Sequence, residues 1–322
     1  MLPVFLQVNY TTSSIIGLIV NPLLMFLILR RSPTNLRTYK PILLVASITD
    51  GWCVVVQGLS QLEFQSMNDT NFAFVTGLSR YLPATAQVFV YIFVTFNMIM
   101  EILVLLLEFY FRHQFLKTKN VMSTKCLLGL VLIALVVCFV QVPLITFYWP
   151  SIVRYRKDSN EWWPEDNPSV IIVSKDAVTD DILKWLGVYR SVVSLSAFFL
   201  TCFVAILSVH TMNKEVTNMS KKTKQLLSQF TNTLIVRIIL FGSANVLPLV
   251  ITQIANTFKL GTLSFTNFFI TLYIWLPILN TISTLLFIQP FRRILVTAFR
   301  SCLNVLTLQH PQTSITRVQT MT

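Results

Sequence analysis

Long apolar stretches alternate along the chain with short polar segments. Seven of the stretches reach the length of about 20 residues that a helix needs to cross a bilayer. They lie near residues 13–29, 41–62, 81–110, 126–149, 185–209, 233–257 and 267–288. The pattern predicts an all-α membrane protein, with residues 1–308 forming a single seven-transmembrane helix bundle.

Composition excludes a soluble enzyme. Of the 322 residues, 54% are hydrophobic and 12% charged, with a mean hydropathy of +0.67, whereas an ordinary soluble domain carries about a quarter charged residues. The three histidines have no metal-ligand spacing, and no nucleophile elbow, zinc-protease motif or phosphate loop is present. We therefore expect no catalytic residues, no metal site and no cofactor.

The basic residues predict the orientation of the bundle. The chain has a net charge of +12, but its lysines and arginines fall in short clusters between apolar stretches, which is typical of membrane loops rather than of a nucleic-acid-binding face. Sixteen of the 25 lie in alternate loops and the tail, and eight lie on the opposite side. Because cytoplasmic loops carry the excess, the N-terminus is expected outside and the C-terminus inside. The first span has no charge before it and Arg30 and Arg31 after it, which favours a retained helix over a signal peptide.

Several sites of modification follow from this topology. Asn9 and Asn68 begin sequons on the outer side and are candidate glycosylation sites. Residues 290–308 combine an apolar stripe with basic residues and predict an amphipathic helix on the inner membrane surface. Cys302 near its end is a candidate palmitoylation site, and residues 309–322 are expected to form a flexible cytoplasmic tail.

Polar groups inside the hydrocarbon are expensive, so each is a functional candidate. Asn21, Asp50 and Asn280 lie at similar predicted depth in the first, second and seventh helices. They predict a hydrogen-bonded cluster that rearranges when the helices move. A static polar contact is the alternative.

Four further charged residues predict a device that ties helices together. Glu101 and Glu108 share one face of the third helix because they are seven residues apart. Arg112 follows Glu108 at i+4, the spacing of a helical ion pair, which could be either a simple interfacial pair near water or a switch. Glu101 lies deeper, and Arg237 on the sixth helix is its candidate partner. That pair would tie the third helix to the sixth in a resting state.

The outer half of the bundle carries aromatic and polar side chains that suit a small-molecule pocket. The candidate ligand-binding residues are Gln87, Tyr91, Gln141, Tyr189, Arg190, Gln253 and Tyr273. For Tyr189, a place in the aromatic belt at the bilayer surface is the favoured alternative.

Two stretches resemble a known family. Asn21-Pro22-Leu23-Leu24 through Ser32-Pro33-Thr34-Asn35-Leu36-Arg37-Thr38-Tyr39-Lys40 is similar to the first inner loop of the nematode serpentine chemoreceptors of the Str and Srd superfamily. Pro277-Ile278-Leu279-Asn280 followed by Gln289-Pro290-Phe291-Arg292-Arg293 resembles the end of their seventh helix.

The resemblance implies a rhodopsin-like G-protein-coupled receptor in the plasma or ciliary membrane of a sensory neuron, where it detects an odorant or pheromone. Its implied partners are a small-molecule ligand, a heterotrimeric G protein and membrane lipids, with arrestin as a further candidate. The expected G-protein contacts are Arg112, Lys117, Lys221, Lys222 and Lys224. The chain departs from the receptor pattern at Thr281, where many receptors carry a proline.

Two other classes have the same number of helices. A ligand-gated ion channel of inverted topology would place its N-terminus inside, against the distribution of lysine and arginine. A seven-helix transporter would be expected to show repeated halves, and the sequence has no internal repeat.

Overall fold

The computed structural model describes residues 2–31, 38–67, 70–143, 170–174, 181–215, 221–257 and 263–308. Within these residues, seven helices are long and apolar enough to cross a membrane. The prediction of a seven-helix bundle is thereby confirmed.

Eight helices make up most of the described structure. They are α1 (Leu2–Arg30), α2 (Lys40–Ser60), α3 (Ala84–Thr118), α4 (Thr124–Phe139), α5 (Asp181–Glu215), α6, α7 (Leu263–Phe287) and α8 (Gln289–Leu308). We use α6 for three consecutive segments: an α-helix at Lys221–Phe241, a π turn at Gly242–Val246 and an α-helix at Leu247–Thr257.

Several helices extend beyond the predicted spans. α1 begins at Leu2 rather than near residue 13, α3 continues to Thr118, and α6 begins at Lys221 rather than near residue 233. An apolar stretch measures only the part that suits hydrocarbon, whereas backbone hydrogen bonding continues into polar flanks. For α4, residues 144–149 of the predicted span lie outside the described residues.

A small antiparallel sheet was not predicted. β1 (Leu62–Met67) and β2 (Thr70–Val75) pair with Leu62 opposite Val75, and β3 (Val170–Ser174) joins the other edge of β2. The sheet is tied to the bundle because Tyr10 Oη donates to the Leu62 carbonyl at 2.9 Å. We call this end of the bundle the sheet end.

The opposite end carries α8. The Gln289 backbone N–H donates to Gln229 Oε1 at 3.1 Å, which joins the start of α8 to α6. Phe291 is fully buried, while Arg292 and Arg293 are exposed. This one-sided burial is the pattern predicted for residues 290–308. We call this end the α8 end.

The third helix forms the centre of the bundle. In the most apolar stretch of α3, 72% of the residues are buried. The corresponding share is 22% for α4, which faces outward. Close packing elsewhere depends on Gly17, because a Cβ there would lie 2.7 Å from both methyl carbons of Val54. The missing side chain lets α1 approach α2, so the polar residues of both helices can reach the same interior.

Candidate functional site

A cavity of about 280 Å³ opens between the helices towards the sheet end. Most of its wall is apolar, and the chain reaches it from α1, α2, α3, α5, α6 and α7. The polar residues in its lining are Tyr10, Gln57, Ser60, Tyr91, Thr95, Arg190, Ser194, Asn245 and Tyr273. An apolar cavity with a few converging polar groups is the usual form of a small-molecule site.

The π turn of α6 shapes one wall of this cavity. The Leu247 backbone N–H donates to the Gly242 carbonyl, five residues earlier. Pro248 has no N–H and its ring would clash with a carbonyl four residues back, so the regular α-helical pattern cannot continue there. The wider turn places Ala244 and Asn245 in the cavity lining. Single π turns inside α-helices are frequently found at functional sites.

Several polar groups in the lining are already bonded to their own surroundings. Ser60 Oγ donates to the Gln57 carbonyl at 3.3 Å, and Thr95 Oγ1 donates to the Ile92 carbonyl at 2.9 Å. Gln57 Nε2 contacts Cys53 Sγ at 3.2 Å, and that sulfur lies 3.6 Å from Tyr273 Oη. These groups form the walls of the cavity and leave little unused hydrogen-bonding capacity.

Arg190 and Asn245 differ from those groups. Arg190 Nη2 lies 3.5 Å from Tyr91 Oη, the guanidinium carbon is 5.7 Å from the centre of the Tyr91 ring, and the buried Nε has no partner among the described residues. Asn245 is 8% exposed, and its Nδ2 is likewise without a partner there. Both donors therefore remain available in the cavity.

Towards the α8 end lies a second polar centre, the ion cluster of Asp50, Glu108 and Arg237. Arg237 Nη1 is 2.7 Å from Glu108 Oε2, and its Nη2 is 3.5 Å from Asp50 Oδ2. Nη2 also donates to Thr284 Oγ1 at 3.1 Å. One arginine on α6 thus connects α2, α3 and α7. All three charged side chains are nearly inaccessible to solvent.

The predicted partner of Arg237 was wrong. Arg237 bonds Glu108 and Asp50, whereas neither carboxylate oxygen of Glu101 has a hydrogen-bond partner in the described structure. Glu101 instead lines a narrow cavity of about 20 Å³ together with Asp50, Arg237 and Asn280. Because Glu101 and Glu108 share a face of α3, that face alone does not select a partner, and the packing of α6 against α3 brings Arg237 to Glu108.

The three predicted cluster residues divide into two contacts. Asn280 Nδ2 donates to Asp50 Oδ1 at 3.2 Å, which joins α7 to the ion cluster. Asn21 bonds Thr281 instead, whose Oγ1 donates to Asn21 Oδ1 at 2.5 Å. Thr281, the residue that departs from the receptor pattern, therefore gives α1 and α7 a polar contact that a proline could not make.

Arg112 does not pair with Glu108, contrary to the i+4 prediction. Its Nη2 donates to the Leu227 carbonyl at 3.1 Å and to Thr231 Oγ1, both on α6. Only 1% of Arg112 is exposed, and Nε and Nη1 have no partners among the described residues. The alternative of an interfacial pair near water is also wrong, because Glu108 is 5% exposed and bonded to Arg237.

Tyr39 covers Arg112 at the α8 end. Its ring stacks on Phe230 of α6 with 4.7 Å between the ring centres. Burial raises the pKa of Tyr39 above the usual range, and the nearby charge of Arg112 partly opposes that shift. The phenol therefore stays protonated at neutral pH and closes this side of α6 with a neutral group.

Of the seven candidate ligand residues, Tyr91, Arg190 and Tyr273 line the cavity. Gln87 is instead used by the backbone, since Nε2 donates to the Arg80 and Leu82 carbonyls at 3.0 and 2.9 Å. Tyr189 Oη donates to the Val137 carbonyl of α4.

The last two candidates are Gln141, which the structure describes, and Gln253, whose side chain it does not. Gln141 is fully buried but absent from the cavity lining. The side chain of Gln253 lies outside the described residues. Conversely, Gln57 and Asn245 line the cavity and were missed by sequence reasoning. Asn245 had one available signal, its position three residues before the helix-interrupting Pro248.

The remaining candidate sites lie at the two ends of the bundle. Lys117 and Lys224 are exposed at the α8 end, while the side chains of Lys221, Lys222 and Cys302 and the whole of Asn68 lie outside the described residues. Asn9 does not suit a glycan. Its Oδ1 accepts from Trp275 Nε1 at 2.9 Å, and its Nδ2, the atom that a glycan would occupy, is buried.

Comparison with known proteins places the chain in a family. The model of the family described as "Serpentine type 7TM GPCR chemoreceptor Srd" matches residues 6–297. The chain belongs to this family. Like other members it is an integral membrane protein and a chemoreceptor-type G-protein-coupled receptor, so the family expected from both ends of the sequence is confirmed.

The fold of this Srd chemoreceptor is similar to that of squid rhodopsin. The crystal structure of squid rhodopsin matches with a TM-score of 0.64 and 11% sequence identity, covering 93% of this chain and 86% of that chain. The rhodopsin-like seven-helix fold is thereby confirmed. No curated protein matches the chain.

Proposed function

We propose that this Srd chemoreceptor binds a small environmental molecule, an odorant or pheromone, in the sheet-end cavity and activates a heterotrimeric G protein at the α8 end. The observation that carries the proposal is that α6 belongs to both polar centres. Its π turn lines the cavity, and its Arg237 holds the ion cluster. Asn245 and Arg237 are roughly 12 Å apart along the helix at 1.5 Å per residue.

The ion cluster acts as a resting-state lock. A ligand that contacts α3, α5, α6 and α7 in the cavity favours a state in which α6 moves away from the bundle at the α8 end. It shifts the equilibrium only by the difference between its affinities for the two states. Arg237 would then separate from Glu108 and Asp50, and Arg112 from Leu227 and Thr231.

The orientation follows from the basic residues. The sheet end faces outside, where the ligand enters, and the α8 end faces the cytoplasm. There Arg112, Lys117, Lys221, Lys222 and Lys224 contact the G protein, and α8 lies along the membrane. The same basic residues bind anionic lipid, and arrestin is a further partner of this surface. The receptor resides in the plasma or ciliary membrane of a sensory neuron.

The ligand site is tested by filling it. Ala244 is buried and lines the cavity, so Ala244→Phe should abolish ligand-evoked G-protein activation in cells screened with a panel of odorants. Ile239→Phe is the matched control, because Ile239 lies on the same helix but is 63% exposed. A response of Ala244→Phe equal to wild type would place the ligand elsewhere.

Measurements on the same cells, and on vesicles prepared from them, distinguish a receptor from an ion channel and a transporter. Ligand-evoked current without any G protein would favour an ion channel, and saturable uptake into vesicles would favour a transporter. A C-terminal epitope detected only after permeabilisation would agree with the receptor orientation. An epitope accessible on intact cells would overturn it.

A further inference from the structure

We infer that the sheet-end cavity accepts small monocarboxylic acids in their ionised form, with the carboxylate held by Arg190 and Asn245. This inference rests on the proposed function, because it names the chemical class of the ligand for the same cavity. It depends on an imbalance in the lining. Among the described residues, Arg190 is the one charged side chain of the lining, and no carboxylate forms an ion pair with it.

The charge of Arg190 is compensated only weakly by neutral groups. A guanidinium remains protonated under all ordinary conditions. Its neighbour is Tyr91, which offers a long 3.5 Å contact through Oη and the edge of cation–π range at 5.7 Å. An arginine facing an apolar cavity with so little compensation has a strong preference for an anion.

A second donor converges on the same space. Asn245 Nδ2 on α6 is buried and unpartnered in the described structure, as is Arg190 Nε on α5. Ser194 lies one turn from Arg190 and adds a hydroxyl to the same wall. A carboxylate has two oxygens and about four acceptor positions, so it can satisfy the guanidinium and the amide together. Such a ligand would also connect α5 to α6.

The rest of the lining restricts the class of anion. Val94, Met98, Ile99, Leu249 and Phe269 form an apolar wall that suits a hydrocarbon body. One arginine balances one negative charge, whereas a phosphate monoester carries about −1.5 to −2 at neutral pH. A volume of about 280 Å³ lies just below the usual range of sites for drug-sized ligands. These features together favour a compact monocarboxylate.

The test uses the purified full-length receptor in lipid nanodiscs. Straight-chain, branched, cyclic and aromatic carboxylic acids of six to ten carbons are each paired with the primary alcohol and the methyl ester of the same body. The thermal unfolding midpoint of the receptor is measured against the concentration of each compound, and the apparent dissociation constant is taken from that titration. Because a charge-assisted hydrogen bond corresponds to about ten- to hundredfold in affinity, the best acid should bind at least tenfold more tightly than its uncharged counterparts.

Variants assign that preference to Arg190. Arg190→Gln should remove the preference for the acid, and Arg190→Lys should retain part of it because the charge remains. Arg80→Gln is the matched control, since Arg80 also lies over a tyrosine ring, at 4.6 Å from Tyr81, but is exposed and outside the cavity lining. It should keep the full preference.

Two results would overturn the inference: a panel in which no acid binds better than its alcohol and ester, or an undiminished acid preference in Arg190→Gln. The proposed function fails separately. If uncharged odorants activate the G protein and acids do not bind, the receptor function stands and the anion site is wrong. If acids bind through Arg190 but no ligand activates a G protein, the anion site stands and the proposed function is wrong.

Discussion

The two polar centres of this receptor use arginine in opposite ways. In the ion cluster, Arg237 lies within 3.5 Å of two carboxylates and is sealed from water. In the sheet-end cavity, the partner of Arg190 among the described residues is the Tyr91 side chain, and Arg190 Nε has no partner there. Two carboxylates of the bundle balance the first charge, whereas no carboxylate of the described residues forms an ion pair with the second.

This difference distinguishes an arginine that fixes the helices in the resting state from one that is available to recognise a ligand. A buried charge with partners on three other helices fixes their relative positions, since breaking it leaves uncompensated charge in a low-dielectric interior. Arg190 has no carboxylate partner among the described residues, so it is available for the proposed recognition of an anion. α6 contributes to both centres because Asn245 lines the cavity and Arg237 bonds Glu108 in the cluster.

The largest expected effect comes from removing the balanced charge. Arg237→Gln leaves Glu108 and Asp50 without their cation, so the free energy of unfolding should fall by about 3–5 kcal/mol. Basal G-protein activation should rise because α6 is released. Thermal unfolding of the purified receptor and nucleotide exchange without ligand measure the two effects. The double variant Glu108→Gln with Arg237→Gln should recover part of the lost stability. If Arg237→Gln alone were as stable as wild type, the ion cluster would not stabilise the helix bundle.

A smaller effect is expected where the polar contact is neutral. Thr281→Val removes the 2.5 Å bond to Asn21 Oδ1 and should lower the free energy of unfolding by about 1–3 kcal/mol. Thr201→Val is the control, because Thr201 is equally buried but its Oγ1 bonds only the Ala197 carbonyl of its own helix. Equal losses in the two variants would mean that the contact between α1 and α7 adds no more to the free energy of unfolding than a hydroxyl bonded within its own helix.

The smallest effect on stability should follow from removing the unbalanced charge. Arg190→Gln should leave the free energy of unfolding within about 1 kcal/mol of wild type, because no ion pair is broken. Basal activity should also stay unchanged. A loss as large as that of Arg237→Gln, again measured by thermal unfolding, would show that Arg190 has a structural partner and would remove the contrast between the two centres.

The sequence predicted which polar side chains lie inside the bundle better than it predicted which of them bond one another. Apolar length alone predicted seven helices, and the similar depth of Asp50 and Asn280 predicted their contact, which the structure contains. The choice between Glu101 and Glu108 depends on how α6 crosses α3. Ridge-and-groove packing allows several crossing angles, so one helix face does not select a partner.

Two other features depend on tertiary structure. The sheet pairs β2 with a strand about a hundred residues later in the chain, a long-range contact that alternation in short segments does not specify. Pro248 predicts that α6 is interrupted, but a π turn is only one of several ways in which a helix can bend near a proline. Asn245 reaches the cavity because of that turn, and Gln57 lines it from α2, so the cavity lining depends on how the helices are placed and sequence reasoning missed both.

Nucleotide exchange by a purified G protein tests whether Arg190 recognises the ligand while Arg237 holds the resting state. Wild type, Arg190→Gln and Arg237→Gln are reconstituted side by side, and the best-binding acid is added or withheld. We expect the acid to raise exchange by wild type, Arg190→Gln to keep its basal rate but lose the response, and Arg237→Gln to be active without ligand. Two results together would contradict these assignments: folded Arg237→Gln with the same ligand-independent exchange rate as wild type, and a normal response of Arg190→Gln to the acid.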